Sequence, residues 1–556
     1  AEGADTVLAR AAHARAFRLD IILPFHKDMY SSIQDFSAEA LAEFESILQD
    51  PSTLDILELD GDLSSDRSMN AAYEAAGRRM LAHSDILFGV WNGEEEAGIG
   101  GTAQIMREAI DSGVRVIWIT PDGEAFVVTD RSGLSGGAGL EPVFSGSGTC
   151  SNMLSQIVHT LLEPPAPDTD AGKALRRFIR EPEREGSHWS AYNLMRSLLT
   201  GRHYSLRVDY ALDADTEASW TRFRHHAQEI GGEAFSRSLG EKLETRWRRA
   251  DNVAVHCSHA YRSAYVLNYF LAGLAVTAGL LSIFWWKHEY SLHVKLGFVL
   301  LELIFISNIL LLTWLGGRDR NDWHVRWLDA RTIAELLRSA RLFSLVGSTA
   351  APPSELLRTD NDAWIEWYAR ATLREIGLPT GRLDAPALRI AITSAIEDEI
   401  DGQIAYNTSA LHSYRHIDHT LHIIGERLFK ATFLIGIIFL VAGAFYLAFS
   451  SKDGFHLSSG TKDVIKAAVT IAGAVLPAFG AGLFGIRATG DFRLSAERAT
   501  QTLTHLEALK EKLDHEKADP SRERISALFL TVTQALTSDL RAWSRIFRFR
   551  ELSLPA

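Results

Sequence analysis

The sequence predicts an α/β domain with a parallel sheet at the N-terminus, followed by an all-α membrane region of four helices with cytosolic helical segments. Three observations predict this architecture. Short apolar runs alternate with helical patterns at the start of the chain, four later stretches are long and nearly free of charge, and 556 residues exceed what one hydrophobic core usually serves. The predicted units are an α/β domain at 1–135, a linker and helical region at 136–240, a first membrane module at 241–345, a cytosolic helical segment at 346–427, a second membrane module at 428–515 and a helical tail at 516–556.

The composition narrows the class of protein. With 46% hydrophobic and 23% charged residues, the chain is neither disordered nor fibrous. At a net charge of −13 it lacks the basic footprint that nucleic-acid binding needs, so we expect no nucleic-acid partner. Cys150 and Cys257 are too few for a disulfide framework or a thiolate metal site, which is in keeping with a reducing cytosol.

The first 120 residues alternate between two kinds of pattern. Three apolar runs have the length of buried strands, at 17–25, 85–91 and 114–120. Amphipathic helical patterns separate them, at 38–48, 69–82 and 103–112. This alternation is typical of a parallel sheet covered by helices on both faces. Ligands of such sheets bind beyond the carboxyl ends of the strands.

A glycine-rich turn follows the run that ends at Trp91. It closes with Gly100-Gly101-Thr102, and a helical pattern starts immediately afterwards. Glycines let backbone amides approach a phosphate or a ribose, and a helix N-terminus favours an anion. A second interpretation stays open, in which this is a tight turn and Thr102 only caps the helix.

Four stretches are long enough to cross the hydrocarbon core of a lipid bilayer, which needs about 20 residues of helix. They lie at 264–286, 296–317, 431–451 and 467–486 and form two hairpins with short polar loops. The alternative is one or two buried core helices. Pro477 and its neighbouring glycines predict that the fourth span is bent or re-entrant.

The two hairpins look like copies of one module. At an offset of 163 residues, His256, His259, Phe270 and Gly273 align with His419, His422, Phe433 and Gly436. After the hairpins, at an offset of 169 residues, Arg318, Asp322 and Trp323 align with Arg487, Asp491 and Phe492. We interpret this as a tandem repeat of a two-helix membrane unit.

Glu302 is the one charged residue inside the four spans. Lys295 and Thr313 lie within about 20° of it on an ideal helix, so a polar stripe runs along the second span. Two roles stay open. The stripe lines a polar path through the membrane, or Glu302 is protonated and holds the helices together.

Two groups of residues suggest metal binding at first sight. His412, His416 and His419 share one helical face, and Glu94–Glu96 are consecutive. We interpret the histidines as interfacial polar residues and the glutamates as a solvated loop tip, so we expect no metal site.

Six segments of the soluble half stand in a characteristic order. They are Ala1-Glu2-Gly3-Ala4-Asp5, Leu23-Pro24-Phe25, Ala72-Tyr73-Glu74, Val90-Trp91 with Gly93, Gly100-Gly101-Thr102-Ala103 and Val116-Ile117-Trp118-Ile119. This set, over about residues 1–130, resembles the SLOG superfamily, which implies a Rossmann-like nucleotide-binding fold. The resemblance implies a nucleotide site at Glu2, Gly3, Asp5, Pro24, Trp91, Gly93, Gly100, Gly101 and Thr102.

Two departures from the family pattern refine this expectation. Family members usually begin with a further strand and a glycine-containing loop, so we expect sequence upstream of Ala1. The enzymatic LOG branch carries Pro-Gly-Gly-x-Gly-Thr-x-x-Glu, whereas Gln104 and Ile105 follow the turn here and the first acid of the helix is Glu108. The resemblance therefore implies ligand binding without glycosidic cleavage.

A second set of residues surrounds the hairpins. It comprises Asp251-Asn252, Tyr261-Arg262-Ser263-Ala264-Tyr265, Arg331, Ala334-Glu335-Leu336-Leu337-Arg338, Trp364, Trp367-Tyr368 and Gln403-Ile404-Ala405-Tyr406. This set, over about residues 240–515, resembles SLATT-type two-helix membrane effectors, which are associated with SLOG sensors in bacterial defence.

Together the resemblances imply a bacterial membrane effector of anti-phage defence. Its SLOG domain would sense a nucleotide-derived signal, with no other cofactor, and trigger ion flux through the bilayer. We expect a homo-oligomer in the inner membrane with cytosolic N- and C-termini, because residues 1–16 lack the apolar run of a signal peptide. The alternatives are a membrane-anchored nucleotide or nucleoside N-glycosidase and a constitutive channel or transport protein.

Overall fold

The structure is a computed structural model. It describes residues 4–32, 37–94, 101–128, 130, 133–135, 139–144, 152–286, 292–317, 321–348, 363–450, 458–547 and 554–555.

Nine short strands are present in the described residues. They are β1 (Leu19–Leu23), β2 (Thr53–Leu59), β3 (Ile86–Val90), β4 (Arg115–Ile119), β5 (Ala125–Val128), β6 (Leu140–Pro142), β7 (Ser187–Trp189), β8 (Arg207–Asp209) and β9 (Gly381–Leu383).

Seventeen α-helices make up most of the described chain. They are α1 (Ala4–His13), α2 (Ala38–Gln49), α3 (Asp66–His83), α4 (Thr102–Asp111), α5 (Asn152–Leu162), α6 (Asp170–Arg180), α7 (Ala191–Thr200), α8 (Ala214–Ser238), α9 (Thr245–Trp286), α10 (Leu292–Gly316), α11 (Trp323–Ser344), α12 (Ala363–Ile376), α13 (Ala385–Ser394), α14 (Asp401–Ser450), α15 (Ser459–Gly490), α16 (Phe492–Glu516) and α17 (Arg522–Phe547). Two π turns, Leu239–Glu244 and Ala395–Ile400, join α8 to α9 and α13 to α14.

The parallel sheet predicted near the N-terminus is present, in two pieces. β1, β2 and β9 form one parallel sheet, and β3 pairs in parallel with β4 in a second. The second sheet continues with antiparallel β5 and β6. The three predicted strands and three predicted helices are confirmed to within a few residues, whereas β2 and β9 were not predicted.

The largest buried cluster extends from the first sheet into the neighbouring helices. Leu59 and Leu383 come from β2 and β9, and both are fully buried. Large side chains from four helices complete this cluster, among them Trp220, Leu337, Ile392 and Phe529. The first sheet is therefore packed into the helical region that leads to the membrane helices.

Within the described residues, four helices are long and apolar enough to cross a membrane, and they cover the four predicted spans except for the last residue of two of them. At 50 residues, α14 is about 75 Å long, more than twice the roughly 30 Å hydrocarbon core of a bilayer. α15 runs through Pro477 as one continuous helix, so the re-entrant form of the prediction is wrong for its described residues. Across the hairpins the helices pack in the order α10, α9, α15, α14.

The backbone supports the tandem repeat. Each copy has a helix that contains a π turn, then a membrane hairpin, then an aspartate and a further helix. Asp322 has φ 44° and ψ 52°, and Asp491 has φ 43° and ψ 41°. Residues other than glycine rarely adopt positive φ. The same unusual conformation at both aligned positions therefore indicates that the two modules have the same local backbone structure.

Candidate functional site

The described residues include six of the nine predicted nucleotide-site residues. Glu2, Gly3 and Gly100 lie outside the described residues. The other six are Asp5, Pro24, Trp91, Gly93, Gly101 and Thr102. They lie on two structural parts, one at the start of α4 and one around α1.

The predicted turn leads directly into α4. Gly101 is the residue before the helix, with φ −71° and ψ 162°, and Thr102 is the first helical residue. Gly101, and not Thr102, occupies the N-cap position, and it makes no side-chain cap. The capping role that the sequence analysis left open for Thr102 is therefore wrong. First-turn amides of a helix have no partner within the helix, and the positive end of the helix dipole lies here.

Two tryptophans fix the turn that precedes this segment. The indole of Trp118 donates to the backbone oxygen of Trp91 at 2.8 Å, and the two rings lie 5.3 Å apart. The indole of Trp91 in turn donates to the backbone oxygen of Glu94 at 3.0 Å. Gly93 has φ 81°, a conformation that favours glycine. The end of β3 is thus held rigidly against β4.

Asp5 and Pro24 belong to the second part, beside α3. Pro24 is buried at the end of β1, and its oxygen accepts a hydrogen bond from the amide of Gly61 at 3.1 Å. Burial raises the pKa of Tyr73 on α3, and the negative charge of Asp5 raises it further. Asp5 therefore lies near the ring of Tyr73.

Helix α3 connects the two parts. The carboxylate of Glu74, the residue after Tyr73, accepts a hydrogen bond at 2.8 Å from the side-chain amide of Gln104 on α4. Arg78, one turn further along α3, pairs with Glu108 on α4 at 2.9 Å. Helix α3 therefore contacts the start of α4 through Glu74, and the charge of Asp5 acts on the neighbouring Tyr73.

A buried carboxylate that the sequence reasoning missed lies at the end of β2. Glu58 is 7% exposed and accepts a hydrogen bond from the amide of Lys27 at 3.0 Å. His26 and Arg382 lie 3.8 and 3.6 Å from the same carboxylate. Ligands of parallel sheets bind at this carboxyl edge. An acidic residue among the apolar residues near the end of the run 53–59 was the sequence signal for it.

The same sheet is joined to a membrane helix without a break in the chain. β9 pairs in parallel with β2, and Asp384 directly after it caps α13. The chain then continues through the second π turn into α14. Asp55 of β2 fastens the start of β9, because its carboxylate accepts from the hydroxyl of Thr380 at 2.7 Å and from the amide of Leu378 at 3.4 Å.

Each π turn carries buried acids that pair with basic residues. Glu244 in the first turn is 3% exposed and pairs with Arg224 and Arg248. Asp398 in the second turn is 5% exposed and pairs with Arg222 and His226 of α8. π turns in long helices are frequent at functional sites. Both π turns are thus tied to α8 by buried ion pairs.

A second ion pair lies deeper beside the same turn. Glu399 is fully buried near Arg341 at 3.4 Å and Arg338 at 3.7 Å. Burial raises the pKa of Glu399, against the opposing effect of the two guanidinium groups. Arg341 also lies 4.2 Å from the ring of Trp220, a cation–π contact.

The predicted polar stripe faces the neighbouring helix of its own hairpin. Glu302 lies against α9, since a β-carbon on Gly279 would be 3.0 Å from its carboxylate oxygen. The side-chain amide of Asn268 on α9 donates to the hydroxyl of Thr313 on α10 at 3.1 Å. Lys295 is half-buried on the same face of α10. The stripe thus lies at the contact between α9 and α10.

Metal binding finds no support in the described part of the chain. No group of three His, Cys, Asp or Glu residues suited to a metal ion occurs there. His412, His416 and His419 are exposed on α14. Two open surface depressions of about 390 and 420 Å³ lie beside the first π turn and on α2, and neither is lined by a predicted nucleotide-site residue.

Comparison of the chain with family models, with curated proteins and with solved structures finds no match.

Proposed function

We propose that the protein is a membrane effector in which a SLOG-like, Rossmann-like domain senses a nucleotide-derived signal and opens a path for ions through the bilayer. In this proposal it acts as a homo-oligomer in the bacterial inner membrane, with cytosolic termini, in anti-phage defence. The ligand occupies the carboxyl edge of the sheets, between Asp5 and the start of α4.

One observation carries the proposal. β9, a strand of the proposed sensor sheet, leads through α13 and the second π turn into α14, a helix that is long and apolar enough to cross a membrane. A rearrangement at the carboxyl edge of β2 therefore reaches the membrane helix through hydrogen bonds and one continuous helix. No flexible linker intervenes between Gly381 and the start of α14.

Ligand would act by shifting a population. It binds one arrangement of β2 and β9 more tightly and so favours the matching arrangement of α14. The π turn at Ala395–Ile400 is the irregular point at which α14 can change its direction. Buried ion pairs connect this turn to two other helices: Asp398 pairs with α8, and Glu399 pairs with α11.

The test is dye release from vesicles of phosphatidylethanolamine and phosphatidylglycerol that contain the purified full chain. Each vesicle sample receives one member of a panel of mononucleotides, dinucleotides, cyclic oligonucleotides and ADP-ribose compounds. We expect release with one class and none without nucleotide. Release in the absence of nucleotide would instead favour a constitutive channel, and consumption of the nucleotide would favour an N-glycosidase.

A further inference from the structure

We infer that the outer face of α14, around Phe433 and Gly436, binds the outer face of α10, around Leu310, in a second copy of this chain. The contact repeats, between subunits, the contact that α9 makes with α15 inside each subunit. It makes the hairpins of neighbouring copies follow one another in a closed row. The inference locates the subunit contact of the oligomer named in the proposed function.

The contact inside the chain shows how two modules meet. α9 of the first module packs against α15 of the second. The rings of Phe270 and Phe479 lie 5.8 Å apart, and a β-carbon on Gly273 would lie 2.9 Å from the ring of Phe479. The hydroxyls of Tyr269 and Thr489 lie 3.3 Å apart. Close approach over a glycine is typical of helix contacts in membranes.

The repeat places a phenylalanine and a glycine at the same positions of α14, where no helix of the described residues packs against them. Phe433 and Gly436 correspond to Phe270 and Gly273 at the offset of 163 residues. Phe433 is 73% exposed, and a β-carbon on Gly436 would meet no other described part of the chain within 4 Å. In the second module, the counterparts of this phenylalanine and this glycine are thus exposed.

The complementary surface is at the other end of the row. α10 corresponds to α15, and Leu310 corresponds to Phe479 at the offset of 169 residues. Leu310 is 52% exposed, and Leu303 and Trp314 extend the same exposed side of α10. Its polar side, with Glu302 and Thr313, is occupied by α9. At the position that corresponds to Phe479, α10 therefore offers an exposed leucine.

The order and direction of the helices fit this continuation. The row α10, α9, α15, α14 consists of two like pairs, and the step from the first pair to the second places α9 against α15. Repeating the step places α14 against α10 of the next copy, in the same antiparallel arrangement. Such a contact joins two different surfaces, and contacts of this kind close into rings when the rotation permits.

Disulfide cross-linking tests the contact. Cys150 is replaced by Ser, buried Cys257 is kept, and Leu310→Cys and Gly436→Cys are introduced together. Oxidation in membranes without nucleotide should give a ladder of covalent multimers. Co-expression of the two single variants should stop at a covalent dimer. The matched control pairs Leu310→Cys with Ile438→Cys, which is 57% exposed and about 160° round α14 from Gly436, and it should give no ladder.

Three results would overturn the inference. Absence of cross-links in the double variant, or an equal ladder in the control, would mean that lipid covers this face. Self-linked Gly436→Cys alone would mean a symmetric contact of α14 with itself. Because no nucleotide is needed, a ladder in a protein that never releases dye would keep the contact and reject the proposed function.

A space-filling variant provides a second measurement. Gly436→Leu should occupy the gap and cause loss of the oligomer in mild detergent, as measured by light scattering. Ile438→Leu, on the opposite side of α14, should keep the oligomer. Thermal unfolding of both proteins checks that the monomers are folded, and an intact oligomer in folded Gly436→Leu would contradict the contact.

Discussion

The imidazole of His226 on α8 lies 2.9 Å from a carboxylate oxygen of Asp398, which belongs to the π turn that leads into α14. Asp398 also accepts from Arg222 at 3.0 Å and from the hydroxyl of Ser394 at 2.8 Å. Its hydrogen bond raises the pKa of His226. The histidine therefore joins α8 to the π turn before α14 most strongly when it is protonated.

This pair should make stability depend on pH. Because the pKa of His226 is higher in the folded protein than the ordinary value of about 6.5, its contribution is complete below about pH 6.5 and is lost as pH rises through the folded-state pKa. We expect His226→Gln to lower the Tm more at about pH 6 than at about pH 9. His225→Gln, at an exposed neighbour, is the control, and an equal loss at both pH values would contradict the prediction.

Asp55 should couple the sensor sheet to the membrane helix. Asp55→Ala removes the acceptor of Thr380 and Leu378, so β9 should loosen from β2 at a cost of about 1–3 kcal/mol in unfolding free energy. We expect nucleotide affinity to persist while nucleotide-triggered dye release falls. Calorimetry and the vesicle assay measure the two effects. Asp62→Ala, in an exposed turn after β2, should leave release unchanged.

Gly101 should matter for ligand and not for folding. Its φ of −71° and ψ of 162° are open to any residue, so Gly101→Val should fold. A branched side chain there fills the space that a phosphate or ribose needs beside the first amides of α4. We expect nucleotide binding to be abolished in calorimetry. Unchanged affinity would remove the start of α4 from the site.

Glu302 should act in helix packing. Its carboxyl group lies against Gly279, so Gly279→Val should push α10 away from α9 and lower stability by about 1–3 kcal/mol in detergent. Glu302→Gln keeps the shape and should leave dye release and ion preference unchanged. A changed ion preference in Glu302→Gln would restore the pore-lining role that the sequence left open.

The two ends of the hairpins should face opposite sides of the membrane. Gly460 in the start of α15 and Gly402 in the start of α14 both have open space for a side chain. With Cys150 replaced, a thiol reagent that cannot cross the membrane should label Gly460→Cys in intact cells and label Gly402→Cys only after lysis. The reverse labelling would invert the orientation.

The membrane helices were the most predictable part of the chain. Apolar runs of about 20 residues without charge seldom occur outside membrane helices, and the helices end at Trp286, Gly316 and Ser450, close to the predicted limits. The π turns gave no such signal, because residues 239–244 and 395–400 have ordinary helical composition. In both turns, buried acids pair with basic residues of other helices.

The sheet shows where local patterns stop being informative. β9 has three residues, Gly381–Leu383, and it becomes a strand only because β2 lies beside it. The run 53–59 contains two acids, Asp55 and Glu58, which hid a strand whose second carboxylate is buried beside Lys27 and Arg382. For the predicted site, the sequence identified both parts, while their arrangement around α3 depends on Glu74 and Gln104.

The origin of β9 has a consequence for biosynthesis. Leu59 and Gly381 are separated by about 320 residues, and the whole first hairpin lies between them. At about 5–20 residues per second, a ribosome needs roughly 16–64 s to make that stretch. The edge of the sheet therefore stays open until α9 and α10 have been made, so the first sheet cannot be completed before these two helices. A chain that terminates early leaves an unfinished sheet edge, which is a template for aggregation and a target for proteases.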